Sequence, residues 1–226
     1  MDLSGTTESI SREVPFKLID FNGNEVEPAD FRTNVDTVKV DVPILMVKEL
    51  DLVIDYVESN GSTVANTASS IVPGKITVAG DPKSLSSLDE IVLTKIDLSE
   101  LTRDISYALP IPVPSGSINL SGETAATVTI SFINVETRAF NTTDISFINA
   151  PEGKTVTAVT NAVDVVLRGP RSALELIEPF NIRIVGDMAD VTADNGNYAI
   201  PATVYVDGTD QVGAIGTYQI TVRISS

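Results

Sequence analysis

Apolar and polar residues alternate with a period of two through much of the chain. The alternation is clear at residues 75–78, 127–130 and 163–167, where valine, isoleucine and threonine are frequent. This period places successive side chains on opposite faces of a half-buried β-strand, and these residue types favour that conformation. Turn-forming dipeptides separate the strands: Asn22-Gly23, Asn60-Gly61, Glu152-Gly153, Asn195-Gly196 and Asp207-Gly208. The pattern predicts an all-β fold of short strands and tight turns.

One interruption of the strand pattern occurs twice. Gly80-Asp81-Pro82-Lys83-Ser84 precedes Leu85 and Leu88, and Gly169-Pro170-Arg171-Ser172 precedes Leu174 and Ile177. Proline fits the first turn of a helix, and residues three apart share a helix face. We therefore expect one or two helical turns at each place, with Pro82 aligned with Pro170. The functional alternative is an anion site at the helix N-terminus, helped by Lys83 or Arg171.

The same order of features occurs three times, about 90 residues apart, which is the spacing of tandem domains. Each copy has a tripeptide that begins with Asp, then an apolar residue before proline, then a final alternating strand. The tripeptides are Asp2-Leu3-Ser4, Asp97-Leu98-Ser99 and Asp187-Met188-Ala189, and the proline pairs are Val14-Pro15, Leu109-Pro110 and Ile200-Pro201. The sequence predicts the C-terminal part of a truncated repeat at residues 1–45 and two repeats at 46–133 and 134–226, called here the first, middle and third repeats.

The joints between these repeats contain no Gly/Ser/Pro-rich spacer. About four residues connect one copy to the next, at 43–47 and at 134–138. Short joints restrict the reorientation of neighbouring domains. We therefore expect a stiff, elongated array of modules.

Composition narrows the possible functions. The chain has no cysteine and no histidine, so thiol nucleophiles, cysteine-ligated zinc and a histidine general base are excluded. It carries 31 acidic and 15 basic side chains, a net charge of −16. Such a charge repels nucleic acid and anionic lipid, so no nucleic-acid partner is expected. The charge serves solubility, or it forms a negative face for a basic partner or divalent cations.

Several carboxylates have spacings that could serve chemistry. Asp97 and Asp187 each end a strand, where their side chains can accept backbone N–H bonds; a metal or catalytic role is the alternative. The acids Asp89-Glu90 and Asp207 with Asp210 are read as surface residues, since glycosidase chemistry would need them to face each other across a cleft. Asp190, Asp194, Asn195 and Asn197 surround Gly196 but lack the distal Glu of a calcium loop, which favours a long polar hairpin.

The hydroxyl-bearing side chains likewise indicate no catalytic site. Ser84, Ser86 and Ser87 have no histidine to activate them. Tyr198, Tyr205 and Tyr218 lie in the third repeat, where they cover the end of a sheet or, alternatively, form part of a carbohydrate or peptide platform. We therefore expect no catalytic, cofactor-binding or metal-ligating residue.

Three segments of the third repeat resemble the YbbR-domain family: residues 165–174 (Val-Val-Leu-Arg-Gly-Pro-Arg-Ser-Ala-Leu), 198–204 and 216–222. The same order of motifs covers residues 46–133 and the fragment 1–45. There are two departures, Asp81 in place of the glycine of Gly-Pro and Met188-Ala189 in place of Leu-Ser. The resemblance implies small twisted β-modules with short helices, similar to the C-terminal domain of the ribosomal L25 and TL5 proteins.

The resemblance also implies a function. Members of the family, mainly from Gram-positive bacteria, carry an N-terminal transmembrane helix followed by YbbR domains outside the membrane. CdaR-type members modulate cyclic-di-AMP synthesis by a membrane diadenylate cyclase. The chain is accordingly expected to be the soluble ectodomain of such a regulator, with its anchor upstream of residue 1, the cyclase as partner through that anchor region, and a cell-wall component as a further partner. The alternatives are a structural or adhesive surface protein and a hydrolase that uses only carboxylates.

Overall fold

The computed structural model describes residue 6 and residues 8–26, 32–192 and 194–226. Strands dominate this part of the chain, so the predicted all-β class with short helical turns is confirmed. The strands are β1 Ile10–Pro15, β2 Thr37–Val42, β3 Met46–Val57, β4 Thr67–Val72, β5 Lys75–Gly80, β6 Glu90–Asp97, β7 Ile105–Pro110, β8 Ile118–Asn119, β9 Ala125–Phe132, β10 Glu136–Thr142, β11 Ile145–Ile148, β12 Thr155–Ala158, β13 Val163–Gly169, β14 Ile182–Asp187, β15 Gly196–Val206, β16 Gly213–Ala214 and β17 Tyr218–Ser225. The helices are α1 Pro82–Leu85 and α2 Arg171–Leu174, and 3-10 turns lie at Val64–Asn66 and Pro179–Asn181. Asp2-Leu3-Ser4 lies outside the described residues.

The chain divides into two compact units. The first contains the described residues of 1–51, together with 76–90 and 113–122. In this unit β1 pairs antiparallel with β2, and β5 pairs antiparallel with β8. Leu50, Val78 and Leu85 are fully buried. The Lys48 ammonium donates to the Leu85 carbonyl at 3.1 Å and lies 2.8 Å from the Asp89 carboxylate, so it ties β3 to the end of α1.

The two short helices begin in different ways. Asp81 is the N-cap of α1, and its carboxylate accepts the Lys83 and Ser84 N–H groups at 2.9 and 3.3 Å. Pro82 is then the first helical residue, as predicted. In α2, however, Pro170 occupies the N-cap and Arg171 is the first helical residue. The alignment of Pro82 with Pro170 is therefore wrong by one position, since the buried leucines of the two helices, Leu85 and Leu174, fix the correspondence.

The second unit contains residues 52–75, 91–112 and the described residues of 123–226. Its sheets have the orders β4–β9–β7, β10–β13–β16 and β11–β14–β15–β17–β12. The larger core gathers Val165, Leu167, Ile182, Ile184 and Val222, all fully buried. A smaller core contains Ile96, Leu98, Val128 and Ile130.

Strand pairing repeats along with the sequence. The order β4–β9–β7 recurs as β12–β17–β15, and the pair β5–β8 recurs as β13–β16. The register repeats as well, because the proline of each apolar-Pro pair lies opposite the first or second residue of the returning strand. The pairs are Pro15 with Thr37, Pro110 with Ala125, and Pro201 with Gln219. The sequence period is therefore also a period of hydrogen-bonded structure.

One ladder differs between the copies. β15 continues beyond Pro201 and pairs antiparallel with β14, from Gly186–Ala202 to Ile182–Val206. Its counterpart β7 ends at Pro110, and among the described strands β9 is its ladder neighbour. The corresponding chain reads Ile111-Pro112-Val113-Pro114, with Pro112 in the place of Thr203. Proline has no N–H to donate to a ladder, so the strand ends there.

The joints are shorter than the sequence suggested. β2 and β3 are separated by residues 43–45, and β9 and β10 by residues 133–135. Residues 46–47 and 136–138 already belong to strands, because alternation resumes sooner than the motif spacing indicated. Asn134 turns the second joint with a φ of 59°, a left-handed conformation that asparagine tolerates.

Candidate functional site

The joint between the middle and third repeats begins with a tight turn. Ser59 and Ser62 exchange two backbone hydrogen bonds of 3.0 and 2.9 Å around Asn60-Gly61. Gly61 has a φ of 71°, which glycine adopts without steric cost. A β-carbon at Gly61 would overlap the Arg168 carbonyl oxygen and lie 2.7 Å from the Gly213 nitrogen. The turn of the middle repeat therefore lies in backbone contact with β13 and β16 of the third.

Arg168 of β13 reaches across this joint. Its side chain is only 2% exposed, and one guanidinium nitrogen donates to Ser62 Oγ at 3.1 Å and to the Leu98 carbonyl at 3.2 Å. The other terminal nitrogen donates to the Leu101 carbonyl. All three acceptors belong to the middle repeat. The planar fork of arginine can serve several acceptors at once, which the ammonium of lysine cannot do with the same geometry.

An aromatic ring completes the environment of Arg168. The guanidinium carbon lies 3.4 Å from the centroid of Phe132, the last residue of β9, which is a cation–π contact. Burial lowers the pKa of Arg168 to about 10, while the nearby charge of Asp104 opposes that shift. A pKa of about 10 leaves the guanidinium protonated at neutral pH. Neutral carbonyls, a hydroxyl and a ring therefore hold a buried cation between the repeats.

A groove of about 630 Å³ runs beside the joint. The middle repeat contributes Ser59, Asn60 and residues around Asp97 and Glu100, and the third repeat contributes residues of β15, β16 and the start of β17. The Gly216 N–H donates to the Ser99 carbonyl at 2.8 Å. The groove thus has walls from both repeats, with carboxylates of Asp97, Glu100 and Asp207 among its lining.

Tyr218 fixes the wall that the third repeat supplies. Its hydroxyl donates to the Ile215 carbonyl at 2.7 Å and accepts the Val166 N–H at 2.9 Å. Burial raises the pKa of the Tyr218 hydroxyl, while the Val166 N–H opposes that shift. The hydroxyl is therefore used in structure, where it joins β17 to β13.

The predicted turn aspartates behave alike. Asp97 accepts the Ser99 N–H at 2.9 Å and the Ser99 hydroxyl at 2.6 Å. Asp187 accepts the Ala189 N–H at 2.9 Å and the Asn149 amide at 2.7 Å. The Asn149 hydrogen bond, and then the Ala189 N–H, lower the pKa of Asp187. Both side chains therefore accept backbone N–H bonds as predicted, and they lie at the corresponding ends of their repeats.

The polar loop before β15 is held by its own side chains. The Tyr198 hydroxyl donates to the Asp194 carbonyl at 3.1 Å, and the Asn195 amide donates to Ser226 Oγ at 2.9 Å. Lys154 also donates to Asn195, at 3.2 Å. Among the described residues, no three acidic side chains converge in a way that could hold a metal ion.

Several other predicted groups have partners within their own unit. Asp81 already occupies the N-terminus of α1, and Arg171 pairs with Glu175 at 3.0 Å. Asp89 pairs with Lys48, while Asp207 lies 3.7 Å from Arg183. Ser86 donates to the Lys83 carbonyl at 3.3 Å.

Sequence reasoning missed Arg168 and Phe132. Arg168 lies in an apolar run, and its counterpart in the middle repeat is Ala79. The available signal was this difference between the copies, since an arginine takes the place of a small apolar residue. Its acceptor Ser62 is 106 residues away, so no local pattern could reveal the contact.

Residues 50–132 match the YbbR-like protein family. The chain therefore contains a YbbR-like domain at residues 50–132, which confirms the resemblance for that part of the chain. It is also similar to two solved structures. A YbbR-like domain of a Listeria monocytogenes protein is 14% identical, with 40% of this chain and 93% of that chain covered and a TM-score of 0.32. A YbbR-like protein of Streptococcus pneumoniae is 13% identical, with 81% and 96% covered and a TM-score of 0.32.

A curated relative gives a more particular likeness. Over 210 residues, the chain is 24% identical to the CdaA regulatory protein CdaR of Bacillus subtilis (strain 168). The match covers 90% of this chain and 42% of that protein, so the chain spans less than half the length of its relative. Within the described residues, the helices are too short or too polar to cross a membrane.

Proposed function

We propose that this chain is the extracytoplasmic, non-catalytic part of a membrane-anchored protein that regulates a membrane diadenylate cyclase, and so cyclic-di-AMP synthesis. The observation that carries the proposal is the similarity to the CdaA regulatory protein CdaR over 90% of the chain. The absence of histidine and cysteine from the sequence agrees with it, since these residues supply the commonest bases and nucleophiles.

A regulator of this kind needs two states that a partner distinguishes. A ligand shifts an equilibrium only by its differential affinity for those states. The Arg168 joint supports this mechanism, because a binding event on the middle repeat would act on the third repeat through contacts that are buried and directional. In this proposal, residues 1–45, 46–133 and 134–226 are successive YbbR-like modules, and the cyclase is contacted through the membrane anchor region.

The net charge of the chain restricts its possible partners. A net charge of −16 disfavours nucleic acid and anionic lipid headgroups. A component of the cell wall is the proposed second partner, bound outside the membrane where the modules lie. The groove beside the joint offers carboxylates to a cationic or hydrogen-bonding ligand.

The test is genetic. Deletion of the full-length gene is expected to change the cellular concentration of cyclic-di-AMP, measured by mass spectrometry, and the complete gene supplied in trans is expected to restore it. A deletion strain with unchanged cyclic-di-AMP, in cells shown to produce the protein before deletion, would contradict the proposal. A loss of surface attachment in such a strain would instead support a structural or adhesive role.

A further inference from the structure

Leu176 and Phe180 lie on the surface of the third repeat with their side chains in solvent. They are 80% and 79% exposed, more than any other large apolar side chain described in the second unit. Both belong to the connection between α2 and β14. Single exposed apolar residues are ordinary in soluble proteins, so their surroundings decide whether the pair has a role.

A pocket of about 390 Å³ lies beside Leu176. One wall is formed by Ser172, Ala173, Leu176 and Ile177, and the other by Asn181 and the loop 207–211. The Asp207 N–H donates to the Asn181 carbonyl at 2.8 Å, and the Gln211 N–H donates to Thr209 Oγ1 at 3.1 Å. These bonds hold the second wall, so the pocket is formed in advance of any ligand.

The middle repeat shows that the fold does not need apolar residues here. Leu85 and Leu174 are buried at equivalent positions of α1 and α2, and this correspondence places Ser87 opposite Leu176. After α1, the middle repeat continues through Leu88 and Asp89 directly into β6 at Glu90, where the third repeat has the 3-10 turn that carries Phe180. Leu176 lines the pocket, and Phe180 directly precedes the lining residue Asn181. Exposed apolar residues at a pocket, absent from the other copy, are typical of an interaction surface.

The charges around this pocket favour one kind of partner. The segments that form it carry four carboxylates, Glu175, Glu178, Asp207 and Asp210, and two guanidinium groups, Arg171 and Arg183. Arg171 lies 3.0 Å from Glu175, and Arg183 lies 3.7 Å from Asp207. The excess is negative, as is the whole chain at −16. A second copy of the chain and an anionic membrane are therefore repelled, and a basic segment is attracted.

We propose that Leu176, Phe180 and the adjoining pocket form a docking surface for a protein segment that carries an apolar side chain flanked by Lys or Arg. The apolar side chain enters the pocket between α2 and the loop 207–211, and the basic residues meet Asp207 in the pocket lining and the carboxylates of the adjoining segments. This inference stands apart from the proposed regulation of a cyclase, because its observations are the exposure, pocket and charges of the third repeat and a comparison with the middle repeat.

The test uses the 226-residue chain and two panels of synthetic peptides. Each peptide has a central Leu, Phe or Trp, flanked by lysines in one panel and by glutamates in the other. Lysine-flanked peptides are expected to shift the amide NMR signals of Ser172, Leu176 and Gln211. Leu176→Ser and Phe180→Ser are each expected to weaken binding at least about tenfold with the thermal midpoint unchanged.

A matched control is Val72→Ser, which removes an exposed apolar side chain of β4 that is 67% exposed in the same unit. It should leave peptide binding unchanged. Four results would overturn the proposal: no binding by any lysine-flanked peptide, equal binding by both panels, binding to phosphatidylglycerol vesicles that Leu176→Ser and Phe180→Ser abolish, or a dimer that the same variants dissociate. The last two would assign the surface to a membrane or to a second copy.

Discussion

At the scale of single residues, the two repeats contain a natural comparison. Gly61 and Gly153 follow Asn60 and Glu152 in corresponding turns, and both have a φ of 71°. A β-carbon at Gly153 would meet nothing within 4 Å, whereas one at Gly61 would meet the backbone of Arg168 and Gly213. Replacing either glycine would therefore impose the same backbone strain. Only at Gly61 would the new β-carbon also collide with the backbone of the neighbouring repeat.

Gly61→Ala is expected to destabilise the protein more than Gly153→Ala. The left-handed conformation costs about 1 kcal/mol in both variants. Gly61→Ala adds the displacement of β13 and β16, for a total of about 2–4 kcal/mol. Urea unfolding of both variants measures the difference. Equal losses would show that the Asn60-Gly61 turn is not held against the third repeat.

Asp187 links one residue contact to pH. Its pKa is lowered in the folded protein, first by the Asn149 amide and then by the Ala189 N–H. A lowered carboxyl pKa contributes stability that is present above the unfolded value, near 3.8, and is lost as the pH falls through the lower folded value. In Asn149→Ala the folded-state pKa of Asp187 moves back toward its unfolded value. The free energy of unfolding is therefore expected to fall less steeply below about pH 4 than in the wild type.

The measurement is the free energy of unfolding of the wild type and Asn149→Ala across the acid range. Asn141→Ala is a suitable control, since it removes a similar amide–carboxylate hydrogen bond, 2.7 Å from Asn141 to Asp164, at another place in the fold. If the free energy of unfolding of Asn149→Ala stays parallel to that of the wild type across the whole acid range, Asn149 is not the cause of the lowered pKa of Asp187.

At the scale of elements, proline decides where a ladder ends. The Asp207 N–H donates to the Asn181 carbonyl, and hydrogen-bonded pairs alternate in an antiparallel ladder. The pair Thr203–Val185 is therefore also hydrogen-bonded, with the Thr203 N–H facing β14. The middle repeat has Pro112 at the position of Thr203. One residue type thus accounts for the loss of a strand pairing between two otherwise similar copies.

Thr203→Pro is expected to break the β14–β15 ladder and to cost about 3 kcal/mol or more. The Thr203 side chain is exposed, so the effect isolates the backbone hydrogen bond. Hydrogen exchange should show loss of protection at Val185 and Arg183, while Thr203→Val retains it. Unchanged protection in the proline variant would mean that proline is not what ends the ladder.

The sequence was informative about elements where the signal is local. Alternation located the strands, and the apolar-Pro pairs located the register that Pro15, Pro110 and Pro201 share. The helix-start motif misled at Pro170, because a proline at the N-cap and one at the first helical position have the same local sequence signal. The joints were predicted too long because the exact ends of a strand depend on the strands with which it pairs.

The candidate site was largely beyond the sequence. Asp97 and Asp187 were recognisable because their hydrogen bonds join residues two apart. The environment of Arg168 is built from Ser62, Leu98, Leu101 and Phe132, which come from different parts of the chain. Contacts of that kind depend on the folded joint, and a single sequence carries no pattern for them.

At the scale of the whole molecule, Arg168 couples two repeats with a buried charge. Removing a hydrogen-bonded charge leaves its acceptors unpaired in a buried place, which costs more than the loss of an exposed pair. The middle repeat has Ala79 at the same position, so alanine is compatible with the strand itself. Arg168→Ala therefore tests the joint rather than the fold of either repeat.

Arg168→Ala is expected to lower the free energy of unfolding by about 2–4 kcal/mol and to split the calorimetric transition into two. Arg183→Ala removes an arginine with 44% of its side chain exposed. It should lower the free energy of unfolding by at most about 1 kcal/mol and unfold in as many calorimetric transitions as the wild type. A single transition at the wild-type midpoint in Arg168→Ala would show that the repeats are coupled by other contacts.

The central claim is that the protein regulates a membrane diadenylate cyclase. The most direct measurement places the full-length protein and the cyclase of the same organism together in one membrane and follows cyclic-di-AMP production from ATP. The account predicts a rate that differs from that of the cyclase alone and returns toward it with Arg168→Ala. A rate identical with and without the wild-type protein would contradict the account.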